Sequence, residues 1–290
     1  MYQNKYRFIL GNFRCTIFRD LMWKYKAQDY FINANQQELQ EEMDKFQLNP
    51  DHISSPFIAI LLQNGDKNIL IDTGAGYSDE PLVFRGNSFE LKGKLVHLLQ
   101  EEGIEKEDIT DVIITHFHLD HIGGIYSDKA KLNFPNAKFH LPKDEWNFWH
   151  SSKSDSQIPL FKWFVENKVT PLKEEYLNLI EGELTDILPG IKAVTAPGHT
   201  PGQIALIIGN ADEPLLYISD AFLHPIHIER INWRTNYDFD HEKATKTREK
   251  LLDLANSENM LVNGFHFNFP GLGHVSRKGP AWRWEYIKKS

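Results

Sequence analysis

The apolar run Val112-Ile113-Ile114 ends in Thr115-His116-Phe117-His118-Leu119-Asp120-His121-Ile122-Gly123-Gly124. Side chains two apart on an extended chain point the same way, so His116 and His118 can grip one ion. If Asp120 opens a helical turn, it and His121 project from that N-terminus toward a neighbouring point. Imidazole and carboxylate suit zinc, and catalytic zinc sites keep a position open for water. Two adjacent ions sharing a hydroxide are therefore chemically sensible. A lone loop histidine is usually structural, but three histidines and an aspartate within six residues reverse that expectation.

Further candidates lie downstream, each at the end of an apolar strand. His199 sits in Thr195-Ala196-Pro197-Gly198-His199-Thr200-Pro201-Gly202, a turn whose prolines and glycines fix the backbone and aim one imidazole. Asp220 closes Leu215-Leu216-Tyr217-Ile218-Ser219, where a carboxylate needs a cation or hydrogen bonds to hold it. His266 follows Met260-Leu261-Val262. Alone, each is as readily structural as ligating; beside the first cluster, they supply the missing ligands.

Composition narrows the classes. The chain has 290 residues, 41% hydrophobic and 25% charged, an ordinary globular balance that excludes collagen-like, coiled-coil and disordered chains. The net charge of −8 disfavours a nucleic-acid partner. Cys15 is the single cysteine, so neither an intrachain disulfide nor a thiolate cage can form. The N-terminus, Met1-Tyr2-Gln3-Asn4-Lys5, is polar, and the apolar run Phe8-Ile9-Leu10 is too short for a secretory signal. No run approaches the ~20 apolar residues of a membrane span. A cytoplasmic chain with a small-molecule substrate, no nucleic acid and no membrane is expected.

Strand and helix signals alternate without a linker. Tyr6–Leu10 and Phe13–Phe18 predict a hairpin around Gly11-Asn12, and Phe57–Leu62 and Asn68–Ile71 a second around Asn64-Gly65-Asp66. Helices are expected over 35–47, around Glu90–Glu102 and over Lys243–Ala255. Buried strands are expected at Asp111–Thr115, Lys138–Leu141, Ala193–Ala196, Gln203–Ile208 and Leu215–Ser219. This is an α/β pattern of two sheets covered by helices. A single domain over 1–290 is expected, with an N-terminal extension at about 20–55 and an insertion at about 142–182. The helix within 33–48 can cap the chain or pack against a second copy in a homodimer.

The set of motifs resembles the metallo-β-lactamase superfamily. Matches run in chain order over roughly 57–274: Asp72 in Ile-Asp-Thr-Gly, the 116–121 cluster, His199, Asp220 and His266. The resemblance implies a four-layer αβ/βα sandwich with a dinuclear site at the sheet edge. It implies that His116, His118 and His199 hold one metal, that Asp120, His121 and His266 hold the other, and that Asp220 bridges both. It also implies that Asp72 supports the ligands from behind. Two divalent ions are expected, zinc foremost, although the same ligands accept iron, manganese or cobalt.

The tail Phe269-Pro270-Gly271-Leu272-Gly273-His274-Val275 and the long N-terminal region are similar to N-acyl-homoserine lactone lactonases and methyl parathion hydrolase-like enzymes. Many of these lactonases place a tyrosine three residues after the bridging aspartate; Leu223 stands there, between Phe222 and His224. His224 and His227 could replace it but read more readily as surface histidines. Phe117, Trp146, Trp149, Phe222 and His224 are candidates for a substrate pocket, with Phe161, Trp163 and Phe164 nearby. Those aromatics can equally pack an insertion onto the sheet, and Trp282 and Trp284 read as core.

The resulting expectation is a hydrolase in which a metal-bridged hydroxide opens lactones or cleaves related esters. Asp120 and Asp220 are its catalytic carboxylates, and Asp120 passes a proton to the leaving group. Organophosphate triester hydrolysis is the alternative within hydrolysis. A mononuclear iron enzyme acting on persulfides is the alternative from another class, and a non-catalytic binding protein is disfavoured by the complete ligand set.

Overall fold

The computed structural model describes residues 4–288, so the first three residues of the polar N-terminus lie outside the described residues. The chain divides into two compact units: Met1–Leu21 with Phe57–Ile187, and Met22–Pro56 with Leu188–Ser290. The expected insertion falls in the first unit and nearly all of the expected extension in the second.

Among the described residues the first sheet has the order β1-β2-β3-β4-β7-β8-β9. Its strands are β1 (Lys5–Leu10), β2 (Phe13–Tyr25), β3 (Ile53–Asn64), β4 (Lys67–Ile71), β7 (Asp111–Ile113), β8 (Lys138–Pro142) and β9 (Leu177–Ile180), while β5 (Leu82–Phe84) and β6 (Asn87–Phe89) form a separate ribbon. Both expected hairpins are present: Leu10 pairs with Phe13 across Gly11-Asn12, and Asn64 with Lys67 across Gly65-Asp66. Beyond β4 the pairing turns parallel, with Ile71 beside Ile113 and Ile113 beside His140. These inner strands are buried on both faces, which is why they read as unbroken apolar runs rather than alternating ones. Val112, Phe139, Leu70 and Phe18 join one core with Leu95, Leu98 and Leu99 of α3 (Leu95–Glu101) and the aromatics Phe148, Trp149 and Phe164.

Helix α3 starts at Leu95, later than its apolar spacing suggests. The Asp20 carboxylate accepts the Leu95 N–H at 2.8 Å and the Ala75 N–H at 2.9 Å, so a residue of β2 caps the helix. A Cβ on Gly93 would fall 2.6 Å from the Gly76 carbonyl oxygen and 2.7 Å from the same carboxylate, so only glycine lets the chain pass this close to Asp20. No local spacing reveals a cap supplied from seventy-odd residues away.

The second unit holds the sheet β10-β11-β12-β13-β14-β15-β16 among the described residues. Its strands are β10 (Leu184–Leu188), β11 (Ile191–Thr195), β12 (Ile204–Ile208), β13 (Leu215–Tyr217), β14 (Leu261–Asn263), β15 (Leu272–Lys278) and β16 (Ala281–Tyr286). From β11 onward the pairing is antiparallel except between β13 and β14, where Tyr217 lies beside Asn263. The helix expected around Lys243–Ala255 spans His241–Ser257 and is capped by Asp240, whose side chain accepts the Lys243 N–H. Its Leu251, Leu252 and Ala255 enter a core with Val194, Leu216, Val262, Trp282 and Trp284. The extension contributes a short helix at Ala27–Tyr30 and a longer one at Gln36–Lys45, capped by Asn35. Tyr30, Phe31, Met43 and Ile53 bury against Leu223, Ile226 and Trp233. The longer helix is tied within its own unit by Lys45–Glu229 and Arg230–Glu42 ion pairs. No helix among the described residues is long and apolar enough to cross a membrane.

Both units therefore repeat one device: two parallel strands end side by side, and the chain that leaves them carries the chemistry. In the first unit Asp72 and the 115–121 segment follow β4 and β7; in the second, Asp220 and His266 follow β13 and β14. Carboxyl ends of parallel strands are where backbone groups leave the ladder and a cleft can open.

Candidate metal centre

In the first unit His116, His118, Asp120 and His121 are all buried. His118 stands at the N-cap of a single helical turn, Leu119–Ile122, so Asp120 and His121 lie in that turn as expected. His116 and His118 offer ligand atoms within 4.8 Å of one another, and so do Asp120 and His121. The His116 ring centre lies 4.7 Å from that of His118 and 4.0 Å from that of His121. Asp72 organises the group. Its Oδ1 accepts the Thr115 N–H at 2.9 Å, and its Oδ2 lies 2.9 Å from His121 Nδ1. Asp72 holds this place at φ +57°, a left-handed conformation that Asp tolerates better than most residues.

In the second unit His199, Asp220 and His266 are buried. Gly198 has φ +140°, and a Cβ there would fall 2.3 Å from Ala244 N, so the His199 turn is pressed onto the long helix in a shape only glycine fits. His199 Nδ1 lies 3.2 Å from Asp238 Oδ1, and Arg248 Nη2 donates to Asp238 Oδ2 at 2.8 Å. Burial pushes the Asp238 carboxyl up, but the Arg248 charge and the histidine bond outweigh it and hold the group well below the usual carboxylate range. Ser219 takes φ +46°, turning the chain so that Asp220 follows β13 out of the ladder. Asp220 Oδ2 lies 3.1 Å from His266 Nε2 and 3.4 Å from His199 Nε2.

These distances test whether the donors suit a cation. Asp238 is ionised and can only accept, so Nδ1 of His199 carries a proton. Nε2, the ring's other nitrogen, is turned toward an Asp220 oxygen, and a cation between the two would be bound by both. The donor set fits a divalent metal, and the carboxylate behind His121 completes the pattern of an oriented ligand ring.

Several expected residues stand elsewhere. Phe117 and Phe222 are fully buried in the apolar cores of their units, so they pack the interior and do not wall a pocket. His224 and His227 are not surface residues. His224 accepts the Ile226 N–H at the start of the helix Pro225–Glu229, and burial lowers its pKa to about 3. His227 donates through Nε2 to the Tyr30 carbonyl, and burial, then the Arg248 charge, holds it well below its ordinary value. Both are neutral parts of an aromatic core that includes Phe31 and Trp233. Trp149 is buried and meets the His118 ring edge-on at 6.3 Å; Phe161 lies closer, at 4.2 Å. Trp146 is half-buried and stacks on His150.

Glu145, Asp238, Ser55 and Tyr30 were not anticipated. Glu145, fully buried, accepts the Phe117 N–H at 3.1 Å and the Trp149 indole N–H at 2.7 Å, clamping the loop that carries His116 and His118. An acid two residues before Asp240 or within a helix has no signature of its own; only the partner across the fold marks it.

The metallo-β-lactamase superfamily model matches residues 59–262. An N-acyl homoserine lactonase of a Bacillus species is 26% identical over 255 residues, 80% of this chain and 90% of that protein. One of Bacillus cereus is 24% identical over 264 residues, with the same coverage. Among solved structures, AidC, a dizinc quorum-quenching lactonase in complex with a product, superposes with a TM-score of 0.84 at 25% identity, covering 99% of this chain and 98% of that one. The hydrolase AbOPH of the β-lactamase superfamily gives 0.87 at 24% identity, covering 100% and 99%, a likeness of fold.

Proposed function

The chain belongs to the metallo-β-lactamase superfamily, and from that premise we propose that it is a dinuclear metallohydrolase that opens lactones or cleaves related carboxylic esters. His116, His118 and His199 would hold one divalent ion and Asp120, His121 and His266 another, with Asp220 shared between them; zinc is the metal we favour. The supporting observation is the donor chemistry: buried imidazoles and carboxylates in each unit, three of the rings with a carboxylate or hydroxyl oxygen at Nδ1. The lactonase relatives support the substrate class.

Two divalent ions held there would supply a water that ionises near neutral pH and an electrophile for the substrate carbonyl oxygen. The residues of the chain do the rest. Asp72 and Asp238 keep His121 and His199 in one tautomer, so no ring has to reorient during turnover. Glu145 fixes the backbone on which His116 and His118 sit. Phe161 and Trp149 crowd the His118 ring and give its surroundings an apolar character that suits an acyl chain. Asp120, buried in the first turn of its helix, takes the proton released by the attacking water on a carboxylate oxygen. It returns that proton to the alkoxide oxygen as the acyl carbon–oxygen bond breaks, leaving a hydroxyl and a carboxylic acid that ionises by losing its own proton to water. The same proposal places the chain in the cytoplasm, acting on a small molecule.

Leu223 keeps a second reading in view. It is buried among Phe31, Ile226 and Trp233 and offers no phenol where many lactonases have one, a departure under which phosphotriester cleavage is the runner-up. Parallel rates on an N-acyl-homoserine lactone, an aliphatic ester and a phosphotriester decide. Ring opening that a chelator abolishes is expected; turnover of the phosphotriester alone would replace the lactonase reading.

A further inference from the structure

His266 differs from His121 and His199 in what stands behind it. The other two rings have carboxylates at Nδ1; His266 Nδ1 meets the Ser55 hydroxyl at 2.9 Å. Ser55 Oγ in turn accepts the phenol O–H of Tyr30 at 3.1 Å, and its own hydrogen has the His266 carbonyl oxygen at 3.5 Å. All three side chains are at least 97% buried.

A ring that binds an ion through Nε2 carries its proton on Nδ1, where Ser55 Oγ is the oxygen within reach. Tyr30 is held in place by its ring stacked on Tyr25 at 4.8 Å and by its carbonyl, which accepts from His227. Its phenol donates to Ser55 Oγ, and with the Ser55 hydrogen on the His266 carbonyl the remaining lone pair of Ser55 can accept Nδ1–H. The opposite arrangement, in which Ser55 donates to Nδ1 and Nε2–H donates to Asp220 at 3.1 Å, leaves no nitrogen for an ion.

We infer that Ser55, itself held by Tyr30, is a positioning residue that fixes the His266 ring and accepts its Nδ1–H once Nε2 ligates, and thereby raises the affinity for the ion the ring holds; this rests on His266 being a ligand. The support is uncharged, so it orients the ring without adding the basicity that Asp72 and Asp238 lend to their partners. It also makes the segment before β3 part of the ligand scaffold, because Tyr30 belongs to the small aromatic core of the extension.

The test uses the full chain, zinc as the probe, competition with a chromophoric chelator, and nitrogen-15 NMR of the histidine rings. Wild type should bind two zinc ions. Ser55→Ala should weaken one of them by roughly tenfold, at the low end of such outer supports, and leave the other unchanged. In the zinc-loaded protein the His266 Nδ1–H should exchange with water faster in Ser55→Ala than in wild type. Tyr30→Phe should shift the same ion by a smaller factor in the same direction, and Ser55→Thr should restore it. Should Ser55→Ala fail to fold, Tyr30→Phe and Ser55→Thr carry the test. Unchanged zinc affinities and unchanged Nδ1–H exchange in both Ser55→Ala and Tyr30→Phe would overturn the inference while leaving the metal pair standing. A wild type that binds fewer than two ions would overturn both.

Discussion

Asp72 Oδ2 and His121 Nδ1 face each other at 2.9 Å, both fully buried, while the other oxygen of the same carboxylate accepts the Thr115 N–H. One carboxylate thus orients the His121 ring and anchors the start of the segment that carries His116, His118 and Asp120. Asp72→Asn keeps the size of the side chain and tolerates the positive φ, but removes the charge and places an amide where an acceptor is needed. Metal affinity should fall by about 10- to 100-fold, measured by chelator competition. Wild-type affinity in that variant would show that the carboxylate is not the support assigned to it.

The glycines after His121 have a steric task. A Cβ on Gly124 would fall 2.1 Å from the Thr73 carbonyl oxygen, and one on Gly123 equally close to that of Ala75. Backbone on both sides leaves nothing flexible to yield. Gly124→Ala should cost about 1–3 kcal/mol in urea unfolding and weaken metal binding, since the strain lands beside Asp72. A variant as stable as wild type would mean that the two segments are not in contact in solution.

Arg248 is almost fully buried and donates to three acceptors: the Ala221 carbonyl at 2.7 Å, the Trp233 carbonyl at 2.8 Å and Asp238 at 2.8 Å. Arg248→Met fills much of the volume but strands the Asp238 charge. Removing one partner of a buried pair typically costs about 3–5 kcal/mol, read from denaturant unfolding. A loss below about 1 kcal/mol would indicate that Asp238 is exposed or protonated.

Asp20 gives the stability a pH signature. Burial raises its pKa from 3.8 to about 6 despite the N–H groups of Ala75 and Leu95. Between roughly pH 4 and pH 6 the folded chain keeps a proton that the unfolded chain has released, so the contribution of Asp20 to stability declines as pH rises through that window. A shift of about two units corresponds to about 3 kcal/mol. The stability difference between wild type and Asp20→Ala, both stripped of metal, should therefore shrink by about that amount from pH 4 to pH 7. A difference that stays constant would contradict the assignment.

The clustering of the first histidines, both hairpins and the helix over 241–257 were legible because their signals are local: Gly-Asn and Gly-Asp turns, apolar spacing, and candidate donors packed into six residues. Phe117 and Phe222 were misread because an aromatic beside a ligand looks the same whether it faces a pocket or the core. His224 and His227 were misread because polarity alone suggests a surface, while their burial depends on Tyr30, Phe31 and Trp233, which are remote in the chain. Glu145, Asp238, Ser55 and Tyr30 share that remoteness. Ligands announce themselves in a sequence; the groups that orient ligands mostly do not.

Elemental analysis of the purified chain, alongside the Asp220→Ala variant, tests the central proposal most directly. Two divalent ions per chain are expected in wild type, falling together with lactone hydrolysis in the variant while far-ultraviolet circular dichroism shows the fold intact. One iron per chain with oxygen uptake on a persulfide, or normal metal content and turnover in Asp220→Ala, would contradict it.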